Sequence, residues 1–216
     1  MSLLRQFAAR PLSWGITAFA RLLTAVQPVW QGIDPLAGRP RVYFANHVSH
    51  GDFVLIWAVL PPRRREMTRP VAGADYWRKG RLRRFVGEAV FRSLLIERDP
   101  NGRSGDPVGQ MAVALDGGDS LILFPEGTRN LGDEPLLDFK SGLYWLAKAR
   151  PEVDFVPVWI DNLNRVLPKG AVIPVPLMCR VTFGAPLHLG AEEGKEEFLT
   201  RAQNALLDLR PRPEAG

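Results

Sequence analysis

"SLILFPEGTRN", residues 120–130, is the stretch on which the reading of the fold turns. Its first part, "SLILFPEG", is the clearest buried strand of the chain, a short apolar run with no polar break. Strands of that kind are covered on both faces, as in α/β sheets. This one delivers Glu126, Gly127, Thr128 and Arg129 to a turn at its carboxyl end, where open α/β sheets usually bind ligands. Gly127 lets main-chain N–H groups come close to a ligand, and Arg129 presents a fork suited to phosphate. The plainer reading of the same residues is a polar loop with a surface ion pair.

A second stretch, "RVYFANHVSHGD" at 41–52, has the same shape. "RVYFAN" reads as a buried strand ending at Asn46, and "HGDFVLIWAVLP" as a helix entered through the His47 region and stopped by Pro61 and Pro62. On a regular helix His47 and Asp52 would sit about 140° apart around the axis. They meet only if His47 lies in the turn before the helix and its ring folds back over the first turn. A carboxylate holding one imidazole nitrogen fixes the tautomer and frees the other nitrogen as a base. A local capping arrangement is the ordinary alternative for a His near an Asp.

Outward from these two stretches, strands and helices alternate. "RPVAGADYW", "SLLIERD", "DFVPVWI" and "MCRVTFGAPL" read as strands; "RLRRFVGEAVFRSL", "MAVALDGG", "GLYWLAKAR" and "KEEFLTRAQNALLDL" read as helices. "NGRSGDPVGQ" reads as a loop. The alternation predicts a single-domain α/β fold, its sheet mixed or mostly parallel and flanked by helices. An amphipathic helix is expected before it, because Leu12, Ile16, Phe19, Leu23 and Val26 recur at helical spacing. The expected divisions are an N-terminal membrane-interface segment over 1–36, a domain over 37–210 and a tail over 211–216.

The net charge is +5 and the sequence pI about 9.8. Much of the charge sits between residues 61 and 84, in Arg63, Arg64, Arg65, Arg69, Arg78, Lys79, Arg81, Arg83 and Arg84, beside the aromatics Tyr76 and Trp77. A solvated face, an anionic membrane, nucleic acid and an anionic substrate all suit such a cluster. No recognition module for nucleic acid accompanies it, so no nucleic-acid partner is expected. No stretch has the roughly 18 uninterrupted apolar residues of a spanning helix. The N-terminal segment, with its arginines and with Trp14 and Trp30, fits either packing on the core or lying in the membrane interface.

Cys179 is the one cysteine and reads as a small buried hydrophobe. His188 reads as structural, and His50 as a local hydrogen-bonding group. Three histidines without clustered acids leave no expected metal site. There is no G-x-S-x-G elbow, Walker A loop, G-x-G-x-x-G fingerprint or H-E-x-x-H helix.

Together the two stretches resemble the glycerolipid acyltransferase family, whose best-known member makes phosphatidic acid from lysophosphatidic acid. "NHVSHGD" matches the family's first block at Asn46, His47 and Asp52. "LLIERD" is loosely similar to the second, with Arg98. "FPEGTRN" matches the third and is followed by "FKSG" at 139–142, while "FVPVWI" looks like the fourth. The resemblance implies His47 as general base, steered by Asp52, for attack of a lyso-lipid hydroxyl on a fatty acyl thioester. It implies that Asn46, Arg98, Glu126, Gly127, Thr128, Arg129 and Lys140 bind substrate. Arg129 and Arg98 would clasp the acceptor's phosphate, and Glu126 would orient the glycerol backbone or Arg129. Main-chain N–H groups near the helix start or at Gly127 would meet the oxyanion. No cofactor is implied beyond the thioester co-substrate, acyl-CoA or acyl carrier protein. Membrane lipids are the implied partners, with the enzyme peripheral on the cytoplasmic face. A different lyso-lipid acceptor, such as a lysophospholipid or an acylated amino-acid lipid, fits the same blocks, and a lipid-binding protein without turnover is the remaining alternative.

Overall fold

β2 (Arg41–Ala45) is the strand about which the rest is arranged, and every residue in it is buried. In the computed structural model, which describes residues 3–49, 51–74, 80, 84–97, 105–161 and 179–211, it lies in the middle of a seven-stranded sheet. The other strands are β1 (Gln27–Trp30), β3 (Thr68–Gly73), β4 (Leu94–Ile96), β5 (Ser120–Leu123), β6 (Asp154–Asp161) and β7 (Arg180–Phe183). Their order across the sheet is β1-β7-β6-β2-β5-β3-β4. All neighbouring pairs run parallel except β6 with β7. The sheet is therefore mixed and mostly parallel, as expected.

The connections fix where a site can form. From β2 the chain passes through α2 (Asp52–Val59) and α3 (Pro62–Glu66) to β3, beyond β5. From β5 it passes through α5 (Gly142–Ala149) to β6, on the far side of β2. Right-handed crossovers leaving in opposite directions put their helices on opposite faces. The packing agrees: Leu55, Ile56, Trp57 and Val59 of α2 join one core layer with Tyr43 and Ala45. α4 (Pro107–Asp116), α5 and α6 (Lys195–Leu207) join the other with Val42 and Phe44. Both faces of β2 and β5 are thus covered, so neither strand alternates with polar residues. The crevice between their carboxyl ends is the topological switch point of the sheet.

Several expectations are corrected. β1 is a strand that the sequence reading folded into the 1–36 segment; it pairs with β7, more than 150 residues away, so Gln27–Trp30 belong to the sheet. Trp30 stacks on Phe183 with ring centroids 4.0 Å apart and is a packing residue. "GDPVGQ", read as loop, starts α4: the Asp106 side chain accepts from Gly109 N–H at 2.9 Å, and Pro107 occupies the first turn. α2 begins at Asp52, after the His47 turn. The supposed basic helix contributes a π-helical turn, Val86–Val90.

α1 (Leu3–Thr24) forms, but its expected stripe does not face inward as a unit. Ile16 packs on the core, together with the buried Thr17, Ala20 and Thr24, whereas Phe19 is 64% and Trp14 75% exposed. The basic run also divides. Arg64 is buried and donates to Arg39 O, and Arg65 donates to Ala58 O and Leu60 O at the end of α2 while lying over the Trp57 ring. Arg69 pairs with Asp119 and Arg84 with Glu88. Those arginines serve the fold. Tyr76, Trp77, Arg78, Lys79, Arg81, Arg83, Arg98, His50 and the tail from 212 lie outside the described residues.

Candidate active site

Phe44 of β2 is in register with Leu123 of β5, so the two turns that follow leave the sheet side by side. Adjacency of the sequence's two suggestive stretches is thus a consequence of strand order. Asn46 stitches the end of β2 to β6: its Nδ2 donates to Ile160 O at 3.0 Å and its Oδ1 accepts from Ile160 N–H at 2.8 Å. Its amide, expected to meet substrate, is buried and spent on the backbone.

His47 lies in the turn before α2, with Nδ1 2.7 Å from Asp52 Oδ2. The ring does fold back over the first helical turn. The same Asp52 oxygen accepts from the Val48 and Ser49 N–H groups at 2.7 and 2.8 Å. Asp52 is fully buried at the first position of α2, where the helix dipole favours negative charge. A carboxylate taking three donors on one oxygen is held firmly, and so is the imidazole it faces. Phe124 completes the support by stacking on the His47 ring, centroids 4.1 Å apart and planes 16° from parallel. With Nδ1 given to Asp52, Nε2 is the nitrogen left for chemistry.

The turn after β5 clasps the His47 main chain. Glu126 Oε1 accepts from His47 N–H at 2.8 Å, and Asn130 N–H donates to His47 O at 2.6 Å. Gly127 makes the turn possible: its φ of +72° lies in the left-handed region, and its N–H donates to Phe124 O at 3.0 Å. That N–H, one of the expected oxyanion donors, is therefore occupied, as are those of Val48 and Ser49. Lys140 N–H donates to Pro125 O, and the Lys140 stem lies where a Cβ on residue 127 would meet it at 3.3 Å.

A cavity of about 460 Å³ opens at this point. His47, Gly127, Thr128, Arg129 and Lys140 line it, together with the apolar Val71, Ala72, Ile96, Met111, Leu123 and Leu143. Asp52, Glu126 and Asn46 are not among the lining residues. The structure thus brings His47, Thr128, Arg129 and Lys140 to one space and places Asp52, Glu126 and Asn46 behind them. Burial pushes the Glu126 carboxyl above its ordinary value, against the downward pull of the N–H groups of Leu137 and His47. Phe124 and Asn130 were missed as site residues although both stand inside the quoted stretch; only their neighbours carry charge, and stacking and main-chain contacts leave no mark on residue type.

An imidazole steered by a carboxylate, beside two cationic side chains and an apolar trough, suits proton removal from a hydroxyl on a molecule with an anionic and a greasy part. Comparison with known proteins places the chain in a family. A family model described as Acyltransferase matches residues 27–161, more than half of the chain. The chain is 28% identical over 137 residues to the 1-acyl-sn-glycerol-3-phosphate acyltransferase of Haemophilus influenzae, covering 57% of this chain and 51% of that protein. It is 28% identical over 116 residues to the lyso-ornithine lipid O-acyltransferase of Brucella abortus, covering 52% and 39%. It thus spans about half or less of the length of these curated relatives. The crystal structure of the 1-acyl-sn-glycerophosphate acyltransferase PlsC from Thermotoga maritima superposes with a TM-score of 0.67, over 97% of this chain and 85% of that one, at 20% identity, a likeness of fold. On the family match, with the site's first and third sequence blocks in place on adjacent strand ends, the chain belongs to the acyltransferase family.

Proposed function

We propose that the protein transfers a fatty acyl group from an acyl thioester to the free hydroxyl of lysophosphatidic acid, giving phosphatidic acid and a thiol. The observation that carries this reading is the His47 Nδ1–Asp52 Oδ2 contact of 2.7 Å on a ring that shares its cavity with Arg129. With Nδ1–H donated to Asp52, Nε2 takes the hydroxyl proton as the acceptor oxygen attacks the thioester carbonyl. The C–O bond forms, the C–S bond breaks, and the proton passes from the imidazolium to the departing thiolate. The main-chain N–H of Thr128, a residue that lines the cavity, is the donor proposed for the oxyanion. Arg129 and Lys140 face the acceptor's phosphate, with Arg98 proposed as a further contact on sequence grounds. The apolar trough takes the acyl chain. The thioester comes from acyl-CoA or acyl carrier protein.

A second acceptor is favoured by the relative from Brucella abortus, whose name specifies lyso-ornithine lipid and whose identity to this chain equals that of the Haemophilus influenzae protein. The peripheral-membrane reading rests on α1, which leaves Trp14, Phe19 and Leu12 exposed. Among the described residues no helix is long and apolar enough to cross a membrane. We propose the cytoplasmic face of the membrane as the enzyme's location.

The test is a panel of lyso-lipids offered with palmitoyl-CoA and with palmitoyl carrier protein, products read by mass. Phosphatidic acid from lysophosphatidic acid is expected. Transfer to lyso-ornithine lipid with none to lysophosphatidic acid would move the assignment to the second acceptor.

A further inference from the structure

The resemblance to the family makes Glu126 a substrate contact, yet its carboxylate is 1% exposed and lies behind the cavity wall. Both of its oxygens are committed to main chain: Oε1 accepts from His47 N–H and Oε2 from Leu137 N–H, each at 2.8 Å. The pairing of Asn130 N–H with His47 O holds the carbonyl of the same residue. His47 is therefore gripped through its backbone from the β5 turn, while Asp52 and Phe124 grip its ring.

The chemistry of the grip explains why a carboxylate stands there. Two N–H donors meet one side chain, each at its own oxygen, so it must accept twice and donate nothing. A glutamine offers one oxygen and one NH2 and would turn hydrogens toward an N–H. An aspartate is one methylene too short to reach both. The Leu137 end extends the grip to the segment after the turn, which Asn130 also ties down, its Nδ2 donating to Glu134 O and its Oδ1 accepting from Gly132 N–H. Three pieces of chain thus meet at one buried acid: the His47 turn, the Glu-Gly-Thr-Arg turn and the 131–137 arm.

We infer that Glu126 is a positioning residue, which sets the His47 main chain and couples it to the 131–137 arm and does not touch the acceptor. The inference rests on the general-base reading of His47 above. A base displaced by about 1 Å loses on the order of 10²-fold in rate, because alignment is a large part of its effect.

The experiment compares Glu126→Gln, Glu126→Asp and Arg129→Ala in steady-state acyl transfer, with thermal unfolding to confirm that each is folded. Glu126→Gln is expected to lower kcat about 10- to 100-fold with KM for acceptor and donor within about twofold. Arg129→Ala, the acceptor-contact control, is expected to raise acceptor KM. Glu126→Asp is expected to fail to rescue. A rise in acceptor KM for Glu126→Gln matching that of Arg129→Ala, with kcat retained, overturns the inference. A second readout needs no turnover: the His47 imidazole proton and nitrogen resonances, assigned against His47→Ala, are expected to shift in Glu126→Gln. Unchanged resonances in a folded variant overturn the inference, even if the acceptor reading has failed because the panel above gives no product.

Discussion

In the mechanism proposed above, His47 acts through one nitrogen, and Asp52 and Phe124 hold the ring that carries it. Replacing it with alanine is expected to lower acyl transfer by at least about 10³-fold, within the usual reach of general-base catalysis, with vesicle association intact. Asp52→Asn keeps the shape but removes the charge that steadies the imidazolium; a loss of about 10²- to 10⁴-fold in kcat is expected from such a change. Cys179 gives an independent test of the burial described for the core. It is 1% exposed, and burial, with Asp161 nearby, pushes its thiol up to about 11. A raised thiol is neutral below that pH, so at pH 8 alkylation by iodoacetamide should be negligible in the native protein and prompt on unfolding. Prompt labelling of the folded protein would contradict the packing of β7 against the core.

At the scale of elements, the arginines after α2 show how composition alone misleads. The run "RRRE" reads as one basic patch, but Arg65 turns back to the last carbonyls of α2 and over Trp57, whereas Arg63 stays exposed. Arg65→Ala is expected to lower stability by about 1–3 kcal/mol, since it strips partners from part-buried groups, and Arg63→Ala by less than about 0.5 kcal/mol. Denaturant unfolding checks both. Gly127→Ala is the matching test of the turn. The left-handed φ of +72° costs an alanine about 1–2 kcal/mol, and its Cβ would press on the Lys140 stem, so loss of stability with a rise in acceptor KM is expected. Both elements that carry the site, β2 and β5, were legible because a strand buried on two faces is an unbroken apolar run after its first residue. β1 was not, because "QPVW" is four residues long, begins at an exposed edge and finds its partner only in β7. α4 was cut short because its start signal, Asp106-Pro107, stands inside a glycine-rich stretch.

For the molecule as a whole, the sequence carried the fold class and the two turns of the site; strand order, which no local pattern encodes, explains why the turns meet. With β5 seated beside β2, the histidine turn and the Glu-Gly-Thr-Arg turn become neighbours, and the switch point between them becomes the cavity. What residue type concealed was the division of labour. Asn46 and Glu126 were expected to bind substrate but spend their polar atoms on backbone. The N-terminal helix was expected to be amphipathic on a single stripe, whereas Thr17 and Thr24 are among its buried residues and Trp14 and Phe19 are exposed. Substituting Trp14 and Phe19 together by alanine is expected to weaken binding to anionic vesicles several-fold while leaving thermal unfolding near that of the parent, since neither ring contributes to the core. A sedimentation assay with phosphatidylglycerol vesicles reads this directly.

The most direct measurement is the mass of lipid products formed when the purified protein and its His47→Ala variant are each given lysophosphatidic acid and palmitoyl-CoA in vesicles. Phosphatidic acid bearing one added palmitoyl group is expected from the parent and at least about 10³-fold less from the variant. Equal product from a folded His47→Ala protein would contradict an imidazole base at the mouth of this cavity.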